Sequence, residues 1–360
     1  PESLLAAAAH DAAFAGGVRL LVVDDGDRFK AALAVRQARR WRRLPVPALT
    51  TRLDPDPVPL FPVLGTPLVA ADEPAAACTG LLRALSDGAV FGAGRRPALV
   101  TVDRLHLEGP VGVAWTEASQ SLGLPFELSD PYDRPILLRA AARESGLAWP
   151  EVLGAKRLRE ARRRAQRLEA KLGGAPRCVD RTGDPAAVDE LIAMEAGGWK
   201  GEAGTALRCH PHLEAAFRDL CRRWAETGGL SLLTLEAGGV PVATQCAVRS
   251  GDGMFVFRIT YDETFSRFGP GVLLGLASGE HFEGETDARF VDSCSSPSNP
   301  FYQDFFPERL ALRTVTTALR PSGRALLAAS PHLQASARAA RVWRERAEAH
   351  WRPAVGRPAG

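Results

Sequence analysis

Residues 253–275 read GMFVFRITYDETFSRFGPGVLLG. Met254–Tyr261 is rich in Phe, Val and Ile and lacks Pro, which suits a buried, pleated strand. A short polar loop follows, and then a Gly-Pro-Gly turn opens an apolar helix. Gly269 and Gly271 leave their backbone N–H groups unobstructed, while Pro270 presets its own φ and donates none. Free amides at a helix N-terminus, with the partial positive charge there, suit an anion, and Arg267 stands just before the turn. Two readings stay open at this stage. The turn is a cradle for the pyrophosphate of a nucleotide-like cofactor, or it is an ordinary strand-to-helix turn.

The chain of 360 residues suits two domains of about 150–180 residues each. With 46% hydrophobic and 24% charged residues, each half can build a globular core. A net charge of +3 is too mild to point to nucleic acid by itself. The six cysteines are scattered without CxxC or His/Cys ligand spacing, so neither a zinc site nor a disulfide framework is expected. No apolar run reaches the roughly 18 residues needed to span a membrane, and the LLAAAAH segment lacks the basic flank of a signal peptide. A cytoplasmic protein is expected, and the Ala, Arg, Gly and Pro content suggests a high-GC bacterial coding sequence.

Along the chain, residues 1–16 read as an Ala-rich helix. Residues 18–35 read as a hairpin turning at Gly26, and Phe61–Val69 as a strand broken at Gly65. A helix over Glu73–Ser86, a strand over Pro97–Val102 and a helix over Val113–Leu122 complete a first unit, 1–148. The segment 149–174 differs: its helix carries Lys156, Arg157, Arg159, Arg162, Arg163, Arg164, Arg167 and Lys171 against a stripe of Leu153, Leu158, Ala161, Ala165 and Leu168. It is a solvated linker helix or a face for a polyanion. A second unit, 175–320, begins with a helix capped by Asp184 with Pro185 at its first position. It continues through a helix over Pro211–Thr227 and three antiparallel strands, and ends in a strand at Leu310–Thr317. A tail helix is expected over Ala325–Trp351. The hairpin VRLLVVDDGDRFKAALAVR (18–36) is similar to LSLLTLEAGGVPVATQCAVR (230–249), so one plan is expected to occur twice.

The order of elements over 185–318, with Arg267-Phe-Gly-Pro-Gly271 after the central strand, resembles the GNAT (N-acetyltransferase) superfamily. The family's usual phosphate loop has two residues between the Arg or Gln and the first Gly; here one separates Arg267 from Gly269. The whole chain is similar to the two-copy branch: acetyltransferases related to cellulose-biosynthesis protein D and, more distantly, Fem-type aminoacyl-tRNA-dependent transferases. Gly65-Thr66-Pro67-Leu68, the Arg-rich helix, and Glu195-x-x-x-Trp199-Lys200-Gly201 followed by Tyr261-Asp262 carry that resemblance. It implies an α/β fold of tandem GNAT-like domains, each a mixed, mostly antiparallel sheet flanked by helices, with the second copy holding the cofactor.

The resemblance also implies a chemistry. Acetyl-CoA or another acyl-CoA would be the co-substrate and a primary amine of a small molecule or amino sugar the acceptor; tRNA is the alternative donor's carrier. The amides of Arg258, Ile259 and Thr260 would grip the pantetheine, and those of Gly269, Gly271 and Val272, with Arg267, the phosphates. Tyr302 would be the acid, or else one more core aromatic beside Phe301, Phe305 and Phe306. Asp292 and Glu195 are the candidate bases, with His210 a third. Cys294 follows Asp292 closely, but nothing in the sequence partners it with a base. A non-catalytic binding module on the same fold is the remaining reading. The first unit lacks a comparable turn and is expected to supply a wall of the acceptor pocket.

Overall fold

The structure is a computed structural model that describes residues 17–38, 41, 44–53, 65–88 and 96–331. The expected helices over 1–16 and beyond residue 331, and the first part of the strand expected at Phe61–Val69, lie outside these residues.

The first hairpin forms as the sequence reads: β1 (Val18–Asp24) pairs antiparallel with β2 (Phe29–Ala38), Val18 opposite Arg36. β3 (Ala48–Thr50) is antiparallel to β2, and β4 (Leu68–Val69) pairs with the other end of β2. α1 (Pro74–Asp87) starts on a proline and ends at Gly88, whose φ of 76° is the left-handed cap a glycine supplies. Its Ala77, Cys78, Leu81, Leu82 and Leu85 share one buried face, the helical period seen in the sequence. β5 (Leu99–His106) runs parallel to β3; α2 (Pro110–Ser121) and the long β6 (Phe126–Leu138) follow.

The basic segment is α3 (Ala155–Leu172), closed by Gly173, and it buries Ala161 and Leu168 as its apolar stripe requires. Next come β7 (Arg177–Asp180), α4 (Pro185–Ala196), the short α5 (Trp199–Glu202) and α6 (Pro211–Glu226). Asp184 caps α4 by accepting the N–H of Ala186 at 2.9 Å. The second hairpin is β8 (Leu230–Ala237) with β9 (Val240–Ser250), and β10 (Gly253–Tyr261) pairs antiparallel with β9. α7 (Pro270–Glu285), β11 (Phe290–Asp292), α8 (Pro300–Phe305) and β12 (Glu308–Ala318) follow. Residues 321–331 are helical.

The strands form one continuous sheet, ordered β1-β2-β3-β5-β12-β6-β11-β10-β9-β8-β7. Read inward from either hairpin, the plan repeats. A hairpin is followed by an antiparallel third strand, a parallel fourth strand, and then an antiparallel strand donated by the other half. The final strands are exchanged: β12 lies beside β5 of the first half, and β6 lies beside β11 of the second. They also pair with each other from Glu308 opposite Ile136 to Thr317 opposite Phe126. The repeat expected from the two hairpins is therefore present. The last strand, however, sits in the first half's run of strands rather than in its own. Trp115 of α2 fastens the exchange by donating its indole N–H to Thr317 Oγ1 at 3.2 Å.

Two faces of β10 are packed before any ligand is considered. On one, Phe217 of α6 stacks on Phe257 with centroids 5.6 Å apart, and Trp224 meets the same ring edge-on. On the other, α7 buries Leu273, Leu274 and Phe282. Each such apolar side chain contributes about 1.5–3 kcal/mol. Gly279 lets the Trp149 indole close on α7, since a Cβ there would lie 2.2 Å from the ring.

Candidate active site

β10 is paired with β9 over its whole length, but with β11 only through Gly253, Met254 and Phe255. From Val256 onward its second edge is open, so the sheet splits between β10 and β11. Backbone groups on a strand point alternately to its two sides. Asp262 N–H donates to Val242 O on β9, so Tyr261 and Ile259 present their backbone groups to the split, and Thr260 and Arg258 present theirs to β9. Lys200 confirms the direction by donating to Ile259 O at 3.2 Å. Of the three amides expected to grip a cofactor, Ile259 faces the split, while those of Arg258 and Thr260 belong to the ladder. Tyr261 takes their place.

A bulge at Phe257 changes what Arg258 does. The extra residue turns the Phe257 and Arg258 side chains to the same face, where α4 and α6 lie. Arg258 Nη1 then reaches Glu195 Oε1 at 3.4 Å.

The split holds a cavity of about 460 Å³ lined by, among others, Lys200, Arg258, Gly271, Cys294, Phe301 and Tyr302. Gly271 begins α7, and a Cβ there would meet nothing nearer than Tyr261 Cδ1 at 3.8 Å, so the cavity reaches its backbone. The flanking amides are not free. Gly269 N–H donates to Ser266 O at 2.9 Å, and Val272 N–H donates to Gly269 O at 3.0 Å. Pro270 has none. Of the turn's expected amides, Gly271 alone keeps an N–H that no backbone carbonyl among the described residues takes. Arg267 turns away, its guanidinium 4.7 Å over the Phe268 ring. Arg164 of α3 covers Gly269 in its stead, its Nη1 2.3 Å from where a Cβ would stand. The missing residue between Arg267 and Gly269 thus goes with a turn that spends its own donors.

Tyr302 lies on α8, which Asn299 caps by accepting the N–H of Phe301 at 3.1 Å. The ring is packed edge-on against Phe301 and Phe306 and is 4% exposed. The residue lines the cavity, and its hydroxyl is buried without a hydrogen-bond partner among the described residues. Burial, with the neighbouring Cys294 and Asp292, raises the phenol far above its ordinary range, so it holds its proton.

The two candidate bases are both tied down. Asp292 is fully buried behind the cavity wall, where its carboxylate meets Arg134 Nη1 at 3.2 Å and accepts Cys294 N–H at 2.6 Å. Burial raises it despite Arg134. Its neighbours Ser293, Cys294 and Ser295 line the cavity in its place. A base must reach the proton it takes, and Asp292 lies behind the wall rather than in the cavity lining. Glu195 is 1% exposed; its Oε1 accepts from Lys200 Nζ at 2.9 Å and its Oε2 accepts the N–H of Leu207 at 2.9 Å. Burial pushes its carboxyl up, but Arg258, Lys200 and the Leu207 N–H outweigh that and hold it below the usual range. His210 is outside the cavity, with Nε2 2.8 Å from Gly204 O. The Cys294 thiol is raised well above its ordinary range by burial, so it is no ready nucleophile.

Because Glu195 is depressed when folded, the stability it adds is present above its unfolded value of about 4.3 and is lost as pH falls through the folded value. Glu195→Gln is expected to cost about 1.5–3 kcal/mol at neutral pH, the worth of hydrogen bonds to a charged group. That cost should shrink in acid. Urea midpoints for the two proteins at pH 7 and below pH 4 check this; a difference that stays constant with pH would contradict it.

The first half reaches the site through β6. Arg134 holds Asp292, and Tyr132 donates its hydroxyl to Ser295 O at 3.0 Å. Sequence reasoning missed these two residues, together with Lys200 and the Arg258 side chain. Only Lys200 had a signal, in the Trp199-Lys200-Gly201 run. Among the described residues no cluster of His, Cys, Asp or Glu could hold a metal ion, and no helix is long and apolar enough to cross a membrane.

Residues 155–291 match the family model for the acetyltransferase (GNAT) domain. The chain carries a GNAT acetyltransferase domain. In this GNAT-domain protein the match begins at α3 and ends within β11, so it includes both edges of the split. Three solved structures share the fold across most of the chain. One is the C-terminal domain of a putative lysylphosphatidylglycerol synthetase from Agrobacterium fabrum, 13% identical, TM-score 0.53, with 91% of this chain and 95% of that one covered. Another is L-PGS from Bacillus licheniformis, 13% identical, TM-score 0.52, with 92% and 96% covered. The third is a conserved protein of unknown function from Bacteroides thetaiotaomicron, 12% identical, TM-score 0.51, with 88% and 90% covered. No curated protein matches the sequence. At these identities the likeness speaks for the fold alone.

Proposed function

We propose that this protein is a bacterial, cytoplasmic N-acyltransferase that moves an acyl group, acetyl in the simplest case, from acyl-CoA to a primary amine of a small molecule or amino sugar. The observation that carries this is the edge of β10 that no strand pairs at Ile259 and Tyr261, where only Ile259 O is taken, by Lys200, beside the unpartnered Tyr302 hydroxyl. The pantetheine arm adds to that edge as a strand would, through main-chain hydrogen bonds. Gly271 N–H, with Arg164 nearby, meets a phosphate at the start of α7. The amine attacks the thioester carbonyl carbon, so a C–N bond forms and the C–S bond breaks. Tyr302 gives its proton to the leaving thiolate, the amine's proton leaves to water at the mouth, and Tyr302 takes a proton back from water once the thiol has left. Residues 149–174 link the first unit to the unit, 175–320, that carries this chemistry.

Titration calorimetry of the full chain with acetyl-CoA tests the reading. Saturable heat is expected, together with acylated product when amines are supplied. The absence of heat and of a thermal shift with every short acyl-CoA would remove it. A second reading, an aminoacyl ester of tRNA as donor, is favoured by the spent amides of Gly269 and Val272. It is also favoured by Lys156, Arg159, Arg162, Arg163 and Lys171 on α3, which make no ion pair among the described residues. In the same experiment, tRNA binding that falls steeply with salt would select it, and absent or salt-insensitive binding would exclude it.

A further inference from the structure

Across the cavity from the transfer chemistry, Arg258 and Lys200 face inward together. Lys200 is satisfied, with Nζ on Glu195 Oε1 and on Ile259 O. Arg258 is not. Its Nη1 lies 3.4 Å from Glu195, while Nε and Nη2 have no hydrogen-bond partner among the described residues. The side chain is 11% exposed. These two nitrogens form one edge of the guanidinium, the edge that receives a carboxylate or phosphate side-on through two parallel bonds.

Neither carboxylate of the wall serves that edge. Both oxygens of Glu195 are engaged, and Glu263, the other carboxylate of the lining, accepts Trp199 N–H at 2.9 Å. Val256 and Phe257 precede it on the strand, and the polar side chains of the lining, Thr260, Ser293, Ser295 and Asn299 among them, make no hydrogen bond to Nε or Nη2. A buried guanidinium edge without an acceptor is costly; an oxyanion entering the cavity removes the cost.

We propose that the amine this site accepts carries a carboxylate or a phosphate, bound side-on by Arg258. This rests on the acyl-transfer reading for the word acceptor, but binding of the anion does not need a donor. The test is therefore made without acyl-CoA. The full chain is titrated with amino acids against their C-terminal amides, and with glucosamine 6-phosphate against glucosamine. The expected result is that an anionic member binds about tenfold or more tightly than its neutral counterpart. The carboxylate and phosphate arms decide which oxyanion it is. Arg258→Gln should abolish the preference, and Arg258→Lys, which keeps the charge but lacks the fork, should retain part of it. Should Arg258→Gln not fold, Arg258→Lys carries the comparison. Equal binding of neutral members, a preference that survives Arg258→Gln, or no binding by any anionic member overturns the proposal. Arg258-dependent anion binding in a protein that gives no heat with acyl-CoA would leave it standing and fell the donor assignment alone.

Discussion

Tyr302→Phe is expected to lower turnover by about 10²- to 10⁴-fold, the usual worth of a positioned proton donor, with little change in melting temperature. The two halves of that expectation come from the same observation. The hydroxyl is buried, held protonated by its surroundings, and bonded to nothing among the described residues. It therefore stabilises no part of the fold, and removing it strands no partner. The ring itself, wedged between Phe301 and Phe306, stays. Steady-state kinetics with acetyl-CoA and an accepted amine, beside a thermal melt, make the measurement. Turnover within about threefold of wild type, or a melt lowered by many degrees, would return Tyr302 to the aromatic core and remove it from the chemistry.

Asp292→Ala is expected to do the opposite: a loss of about 3–5 kcal/mol in stability, because it leaves Arg134 charged and unpaired where no water reaches. Both side chains are fully buried, and the carboxylate also holds Cys294 N–H, which fixes that residue at a φ of +48°. Replacing both partners with apolar residues, Arg134→Met with Asp292→Leu, should cost far less than either single change, since no buried charge is then left over. Urea unfolding of the singles and the double supplies the cycle. If Asp292→Ala is as stable as wild type yet inactive, Asp292 belongs to the reaction and not to the wall.

How much of this was legible beforehand follows from the range of the interactions. Helices and hairpins with a clean period, such as α1, α3 and the pairs β1–β2 and β8–β9, were legible because local pattern sets them. The strand Met254–Tyr261 and the helix after Pro270 formed as read. The open edge of β10 followed from a resemblance and is present. Which of its amides point outward depended on pairing with β9 and on the bulge at Phe257, and nothing in GMFVFRITY marks a bulge. The turn at Gly269 was legible as a turn, but whether its amides were free depended on a bond back to Ser266. Arg134 gave no signal: it sits between Asp133 and Pro135 without a motif, and only the exchange of final strands brings it to Asp292, 158 residues on in sequence. Glu195 was noticed for its carboxylate, yet the cations that neutralise it come from two other elements.

The exchanged strands have a consequence during synthesis. A chain leaving the ribosome presents β5 and β6 long before β12 exists, and the neighbour that lies between them is missing until residue 318 is out. Until then both carry bare ladder edges, the kind of surface that invites wrong partners. Duplication would ordinarily give two halves that mature one after the other. Here each half is finished by the other's last strand, so both mature, and both come apart, as a single unit.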